Sequence, residues 1–583
     1  MVETSPPPPD WKAGSLRNWL PLIFSSVLPE ELVKKGAEGL ISGIVQHPVY
    51  LRHYPQKESM AHIVGYVRSK GKLPTGPINH GDPLFEETWG VAGLEKTLDD
   101  RLTGTPGVRK MIFDEGGELE LDELEKAPVV GNTVVTTLNM KWQKKAESVL
   151  RNHCKRGALV VVDIQSGEIL TLASRPSYDV NVWVPTIDQD TFEALENDET
   201  KPMFGRGYQA AYPPASTFKP IVALTALTNG VVRDDTLIDC PEKIRIGTTW
   251  FKNHSEYPEG KIDVLRALAR SNNVWFYQVG IMTRAQSFLS VARRLGFGDT
   301  TGVPLFGESA GIVPNNQLMI EQLGRPITDG DTANYSIGQG ALQGTPLQVA
   351  QAMAGIANGS VLPQLRLVRQ IQDEHGGVLS APGPETRNQL NLDPEAVELV
   401  HQGMVDVVHA PHGTGKRAAL SYTKMAGKTG TAQWTTDREL AWFAGFFPVE
   451  NPRFAFAVLY EGAPGEEVSG GRKAAPMVPA MFEALEDDIK PMIQPPVKAM
   501  IIVEEGGEAE GIEAPGDGVL NSLAAKPLTP GAEVKVPDFD GPIPAAMIVE
   551  EDEEDKEDLE AEPEEKPEDE VPPAPPAAVV VPE

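Results

Sequence analysis

Two apolar hairpin patterns lie far apart in this chain, and one fold has to accommodate both. The first is ALVVVDI and EILTLAS, residues 158–164 and 168–174, around the turn QSG. The second is AWFAGFFP and RFAFAVLY, residues 441–448 and 453–460, around VENP. Apolar runs of this length on either side of Gly-, Ser-, Asn- or Pro-containing turns predict β-hairpins. Between them, residues 211–420 read mostly as helices with glycine- and proline-rich breaks, and a last helix fits PMVPAMFEALEDDI at 476–489. A sheet built from both ends of a region, with an all-helical insert between, is an α+β architecture: helices packed on a largely antiparallel sheet.

The flanks read differently. The chain has 583 residues, which suggests about two to four domains. Residues 1–14 are proline-rich and expected to be disordered. In residues 15–140, LPEELVKKGAEGLISGIV has helical spacing, DEGGELELDELEK reads as an acidic surface segment, and NTVVTTLN reads as a strand. MKWQKKAESVLRNHC, residues 140–154, is an amphipathic helix leading into the next domain. Residues 141–489 form that domain, and 490–583 form an acidic, proline-rich tail. Between Glu550 and Glu570 there are 15 acidic and 2 basic residues. Such a stretch cannot bury enough apolar surface to offset its ordering entropy. Within the tail KAMIIVEE is echoed by AAMIVEE, either two docking islands or a chance repeat.

The net charge of −31 argues against a nucleic-acid partner, because phosphate neutralisation needs clustered Lys and Arg. Two cysteines, Cys154 and Cys240, are no disulfide framework for a chain this long. The best candidate for a bilayer span, WLPLIFSSVL, has ten residues against the roughly 20 that a span needs. MVETSPPPPD lacks the basic start of a signal peptide.

Chemistry is suggested by three short motifs. S-x-x-K occurs at Ser69/Lys72, Ser216/Lys219 and Ser421/Lys424, close to the roughly two or three copies that composition alone would give. Context separates them. SKGK lies in a polar stretch, and SYTK lies on a predicted strand, where i and i+3 face opposite ways. Ser216 instead follows Pro213-Pro214 and opens the apolar helix STFKPIVALTALTN, which ends at Gly230. Serine is a preferred N-cap, and a helix start aims its hydroxyl outward. Lys219 lies one turn on, and a buried lysine has a lowered pKa, so its neutral amine can take a serine proton. Ser271 and Asn273 in RSNNVWFYQVG form S-x-N on a predicted link between two helices, where the bland alternative is a helix cap. KTGTAQW, with Lys428, Thr429, Gly430 and Thr431, lies on a predicted edge strand that a substrate backbone can approach closely. The alternative there is a glycine bulge. Ser271 follows Ser216 by 55 residues, and Lys428 follows Ser271 by 157.

In this order the motifs resemble those of class B penicillin-binding proteins, and S-x-x-K with S-D-N and K-T-G is a known signature of penicillin-binding proteins and class A β-lactamases. Within the class the chain is most similar to the penicillin-binding protein 2 type. The likeness runs from HYPQKESMAHIVGYV and GVAGLEKTLDDRLTGTPG, through RGALVVVDIQSGEILTLASRPSYDVN, AYPPASTFKP and YSIGQGALQGTPLQ, to AGKTGTAQW. It implies the penicillin-binding serine-transpeptidase fold behind a pedestal domain, and peptidoglycan D,D-transpeptidation during wall elongation. By resemblance, Ser216 would be acylated, Lys219 would be the base, Ser271 the proton relay, and Asn273 would hold Lys219 and the substrate amide. Lys428, Thr429 and Thr431 would bind the terminal carboxylate. The N–H groups of Ser216 and Thr431 would form the oxyanion hole. Gly338 would be architectural, and TPLQ at 345–348 reads as a capping box.

The resemblance further implies no cofactor, stem peptides and β-lactams as ligands, a membrane glycan polymerase as partner, and the periplasmic face of the inner membrane as location. The chain departs from the family in three ways. The likeness begins near Val49, so an anchor and the first half of the pedestal are expected to be lacking, leaving 15–140 a partial pedestal. Cys240, with Asn253, His254 and Asn272 nearby, makes a poor metal site, so no metal is expected. The acidic tail is not shared. A septal-division transpeptidase, a serine β-lactamase and a non-catalytic penicillin sensor or scaffold are the alternative readings.

Overall fold

A computed structural model describes residues 52–70, 87–113, 119–184 and 186–493. The expectations for 1–14, for LPEELVKKGAEGLISGIV and for the acidic tail fall outside the described residues.

Helix α1 (Met140–His153) opens the main domain, and the Asn139 side chain accepts from the Lys141 and Trp142 N–H groups at its start. Strands β1 (Arg156–Asp163) and β2 (Ile169–Arg175) form the first hairpin. The insert supplies α2 (Lys219–Thr228), α3 (Val264–Arg270), α4 (Asn273–Thr283), α5 (Pro346–Asn358) and α6 (Pro394–His409). Strands β3 (Ala426–Gln433), β4 (Glu439–Phe447) and β5 (Phe454–Glu461) complete one antiparallel sheet in the order β3-β4-β5-β1-β2. The two hairpin patterns thus meet where β5 pairs with β1, Phe454 opposite Asp163 and Glu461 opposite Arg156.

Both faces of this sheet are covered, which explains why its strands read as continuous apolar runs rather than as alternation. Val160, Val162, Trp442, Ala444, Ala457 and Leu459 face the insert, where α5 is buried from Pro346 to Ala357 and lies across β5, β1 and β4. Leu159, Val161, Phe443, Phe456 and Val458 face α1 and the helix α7 (Met477–Phe482). Thr345 and Gln348 form the expected capping box at the start of α5: the Thr345 N–H donates to Gln348 Oε1 at 2.9 Å, and the Gln348 N–H donates to Thr345 Oγ1 at 3.1 Å.

Several local expectations change. SYTK lies on no strand; β3 starts at Ala426, and the Ser421 N–H and hydroxyl both donate to the Glu483 carboxylate. The end of the acidic segment is a strand, Leu119–Lys126, paired with Val108–Phe113. The insert is helical where it packs but carries short strand pairs at its margins, among them Lys243–Ile246 with Thr249–Lys252, reversed at Gly247 with φ +59°. The last predicted helix breaks at a 3-10 turn, Glu483–Leu485, after α7.

In the preceding region, Tyr54 and Ala61 pack with Tyr178, Val180 and Trp183, and the Tyr66 ring stacks on Trp183 at 3.9 Å. The Tyr208 hydroxyl donates to His62 O at 2.7 Å. These contacts fix that region on the main domain.

Candidate active site

The α-helix proper begins at Lys219. Ser216 sits before it, on a 3-10 turn spanning Ala215–Phe218, and caps no helix N–H. The expectation of Ser216 as an N-cap is therefore corrected, because the tighter turn precedes the first α-helical residue. In a 3-10 turn residues i and i+3 are eclipsed, which still puts Ser216 and Lys219 on one side. Ser216 is half-buried and Lys219 is fully buried. Among the described residues no hydrogen bond engages the Ser216 hydroxyl, so the Lys219 amine is not bonded to it in this state. Catalytic bonds of this kind are often open without substrate.

The turn is held in a costly conformation. Ala215 has φ +54°, a left-handed value that costs a residue with a Cβ about 1–2 kcal/mol. Its N–H donates to Gly338 O at 2.9 Å. Gly338 itself has φ +73°, and a Cβ there would stand 2.1 Å from Ala215 O. From the other side Gly430 lets β3 close in: a Cβ there would meet the Cβ atoms of Ala215 and Trp442 at 3.1 Å. The glycines of YSIGQG and KTGT thus clamp the residue before Ser216.

The S-x-N motif occupies the link between α3 and α4. Ser271 ends α3 with φ +54°, and the Asn272 side chain accepts from the Trp275 N–H at 2.9 Å, capping α4. The capping alternative therefore holds for Asn272, while Ser271 and Asn273 turn to Lys219. Its Nζ reaches Ser271 O at 2.7 Å, Ser271 Oγ at 3.3 Å and Asn273 Oδ1 at 2.6 Å, with the Phe276 ring centroid 5.1 Å away.

Strand β3 brings the third motif as the sheet's edge, and α6 packs against both α3 and β3. Lys428 Nζ donates to Ser271 Oγ at 2.8 Å and to Thr429 O at 3.1 Å. The Thr429 and Thr414 hydroxyls are 2.8 Å apart, and the exposed Thr431 accepts from the Gly470 N–H at 3.2 Å. Thr414 was not singled out in the sequence; its place in HGTGK gives no periodic or compositional signal.

Burial, with the Lys428 charge second, holds the Lys219 amine well below the usual lysine range. Burial also brings Lys428 down to about 7. A neutral Lys219 fits its surroundings: two N–H groups satisfy Ser271 O and Asn273 Oδ1, which leaves the lone pair for Ser271 Oγ, 3.3 Å away. A charged Lys428 then serves as donor to Ser271 Oγ. The site can accept a proton, pass it on and bind an anion.

The other S-x-x-K copies lie elsewhere in the chain. Ser421 is held by Glu483, and Ser69 lies on the strand Val67–Ser69, its Lys72 outside the described residues. Cys240 is buried with Sγ 3.4 Å from Ile238 O. Among the described residues no group of three or more His, Cys, Asp or Glu side chains forms a metal site.

The penicillin-binding protein transpeptidase domain matches residues 157–483, more than half of the chain. The chain belongs to the penicillin-binding protein transpeptidase family. The penicillin-binding protein dimerisation domain matches residues 20–136, beginning before the Val49 at which the likeness was read from the motifs. Among relatives of this family, the peptidoglycan D,D-transpeptidase MrdA of Haemophilus influenzae is 29% identical over 82% of this chain and 76% of its own length. The penicillin-binding protein PBP2 of Pseudomonas aeruginosa has a solved structure with TM-score 0.64 and 31% identity, covering 75% of this chain and 92% of that one. PBP2 of Helicobacter pylori, solved in complex with MreC, gives TM-score 0.66 at 28% identity, over 79% of this chain and 83% of that one.

Proposed function

We propose that this chain is a peptidoglycan D,D-transpeptidase of wall elongation that works through an acyl-enzyme on Ser216. One observation carries the reading: beside the Ser216 turn, a single hydroxyl, Ser271 Oγ, lies 3.3 Å from one buried lysine and 2.8 Å from another.

In this reading the neutral Lys219 amine takes the Ser216 proton as Oγ attacks the penultimate D-Ala carbonyl of a stem peptide. The N–H groups of Ser216 and Thr431 stabilise the oxyanion. The C–N bond breaks, Ser271 passes the proton from Lys219 to the departing D-Ala amine, and an ester on Ser216 remains. An amine of a second stem peptide then attacks the ester, returns a proton through the same groups and closes the cross-link. Lys428 with Thr429 and Thr431 holds the carboxylate of the donor, and Asn273 holds Lys219 and the substrate amide. β-Lactams enter by the same attack and stay.

The assignment to elongation rests on likeness to MrdA and PBP2 proteins, and a septal enzyme with the same chemistry is the alternative. A membrane glycan polymerase and an MreC-like protein are the partners in this reading, and the periplasmic face of the inner membrane is the location. Among the described residues no helix is long and apolar enough to cross a membrane.

A fluorescent penicillin tests the proposal. Covalent labelling of the wild type that disappears in Ser216→Ala, and collapses in a folded Lys219→Arg, is the expected result. Arg stays charged and cannot serve as a neutral base. A folded wild type that takes no label would overturn the enzyme reading, and rapid loss of label would favour a β-lactamase.

A further inference from the structure

The Lys219 amine donates to Asn273 Oδ1 at 2.6 Å as well as to Ser271 O, and Asn273 is the first residue of α4. The N–H groups of a helix's first turn have no partner inside the helix. For α4 two of them are met by asparagine side chains. Asn272 takes the N–H of Trp275. Asn253, far from the helix in sequence, takes the N–H of Asn273 itself, with Oδ1 at 2.9 Å.

Asn253 is well placed to hold that position. It directly follows the strand Thr249–Lys252, and its own N–H donates to Glu242 O at 2.8 Å, just before the partner strand Lys243–Ile246. The hairpin is docked on α4 through Phe251, edge-on to Tyr277 at 5.3 Å, and through the Tyr277 hydroxyl, which donates to Lys252 O at 3.4 Å. A backbone N–H can only be met by the oxygen end of the amide, which fixes the orientation of the Asn253 side chain. Its Nδ2 is buried and has no hydrogen-bond partner among the described residues. The acceptor is used and the donor is not.

We propose that Asn253 is a positioning residue for the reaction: it fixes the start of α4 and thereby aims the Asn273 carboxamide at the Lys219 amine. The chain of contacts runs from Glu242 O through Asn253 and Asn273 to Lys219 Nζ. This inference rests on the reading of Ser216 and Lys219 as nucleophile and base.

The charged surroundings make a pH readout usable. Lys428 on β3 acts on Lys219, and Lys219 and Lys428 both act on His254, the residue after Asn253. Arg270 at the end of α3 and Glu259 also act on His254, with opposite signs. No acid is among the groups that act on Lys219, so a new carboxylate at position 253 would be noticed.

The test compares Asn253→Ala and Asn253→Asp by acylation with a fluorescent penicillin across pH, together with melting curves. The alanine removes the acceptor and lowers the acylation rate constant of folded protein by about tenfold, the scale of a misdirected proton acceptor. The aspartate keeps the acceptor, loses the unused donor and adds a negative charge. At its own optimum it acylates within about threefold of wild type, but its rising limb moves up by about half a pH unit to one unit, since a carboxylate favours the charged lysine. If Asn253 only caps the helix, the alanine loses melting temperature while acylation per folded molecule and its pH profile stay as in wild type; that result overturns the inference, as does an aspartate profile superposing on wild type. The aspartate decides the matter should the alanine not fold. A wild type that takes no label at Ser216 defeats the functional reading and this inference together, whereas a labelled wild type with an unaltered alanine variant defeats this inference alone.

Discussion

Lys428 donates to the Ser271 hydroxyl at 2.8 Å, across 157 residues of sequence and from the edge of a sheet to the link between two helices. The same oxygen lies 3.3 Å from Lys219. Ser271 is thus the only side chain among the described residues that hydrogen-bonds both buried lysines. Ser271→Ala should remove the proton path and leave the helices in place, because the link keeps its Asn272 cap. Acylation by penicillin is expected to fall by about 10²-fold, the lower range for a positioned acid–base group. Ser271 is buried, so the melting temperature should fall by a few degrees, the cost of about one lost buried hydrogen bond, with Lys428 keeping Thr429 O. Stopped-flow acylation and a melting curve check both. Wild-type acylation in this variant would remove Ser271 from the relay.

The two lysines need opposite protonation states. Lys219 has to be neutral to accept a proton, and Lys428 has to be charged to bind a carboxylate. Burial lowers both, Lys219 well below the usual range and Lys428 to about 7. The acylation rate constant should therefore rise as Lys219 loses its proton and fall again as pH passes about 7 and Lys428 loses its own. Lys428→Arg keeps a cation at every accessible pH, so the falling limb near neutrality should disappear, whatever it costs in absolute rate. A falling limb that persists unchanged in the arginine variant would mean another group titrates there.

The same shift has a consequence for stability, opposite in sign to that of an ion-paired lysine. The folded-state pKa of Lys428 lies below its unfolded value of 10.5, so the unfolded chain binds more protons between about 7 and 10.5. Stability contributed at this site therefore rises with pH across that window and is lowest below it. Lys428→Met should melt higher than wild type at pH 7, by about 2–5 °C for a gain of one or two kcal/mol, while losing acylation. The difference should shrink towards pH 10.5. A methionine variant melting below wild type at neutral pH would show that the hydrogen bonds of Lys428 outweigh its desolvation.

Gly338 and Gly430 were legible as landmarks, but the reason for Gly338 was not. Nothing local favours a left-handed alanine, so the φ of +54° at Ala215 could not be read from AYPPASTFKP. It is imposed by Gly338, more than a hundred residues on. Thr414 went unnoticed, and Asn253 was named only in weighing a metal site, for the same reason: each acts through one tertiary contact, with Thr429 and Asn273 respectively. The central sheet was legible because both of its faces are buried, which leaves long apolar runs in the sequence. The strand Leu119–Lys126 was not, because the adjacent Asp122 and Glu123 break the alternation of its leucines and Leu124 is exposed. The three motifs could be ordered from sequence, but their meeting at one hydroxyl is a property of how α6 joins α3 to β3.

Gly338→Ala follows from that geometry. The new Cβ would stand 2.1 Å from Ala215 O, on a residue whose φ of +73° already disfavours any side chain. The turn carrying Ser216 would have to move, since its other side is closed by Gly430 and Trp442. A loss of about 2–4 kcal/mol and of most penicillin labelling is expected, by strain and by overpacking. Labelling at the wild-type rate would mean that the turn has slack the structure does not suggest.

Beneath the sheet end nearest this turn, Glu461 is buried between two arginines. Its carboxylate lies 3.0 Å from Arg156 Nε and 2.9 Å from Arg206 Nε, and it accepts from the Tyr212 hydroxyl. Arg206 also donates to the Thr200 and Lys201 carbonyls at 2.6 and 3.1 Å. One anion thus neutralises part of two buried cations. Glu461→Gln would leave both arginines in a poorly solvated site, a loss of about 3–5 kcal/mol on the scale of broken buried pairs. The effect should be on stability rather than on chemistry. Tyr212 is also held by paired backbone bonds with Gly344, and Trp442 Nε1 donates to Pro213 O at 3.1 Å, so the approach to Ser216 keeps independent supports. The melting temperature should drop by about 5 °C or more. Acylation per folded molecule, measured well below that temperature, should stay within about threefold of wild type, since a distant substitution that leaves the reacting geometry in place removes little transition-state binding. Loss of acylation at full stability would instead tie the Arg156–Glu461–Arg206 cluster directly to the position of Ser216.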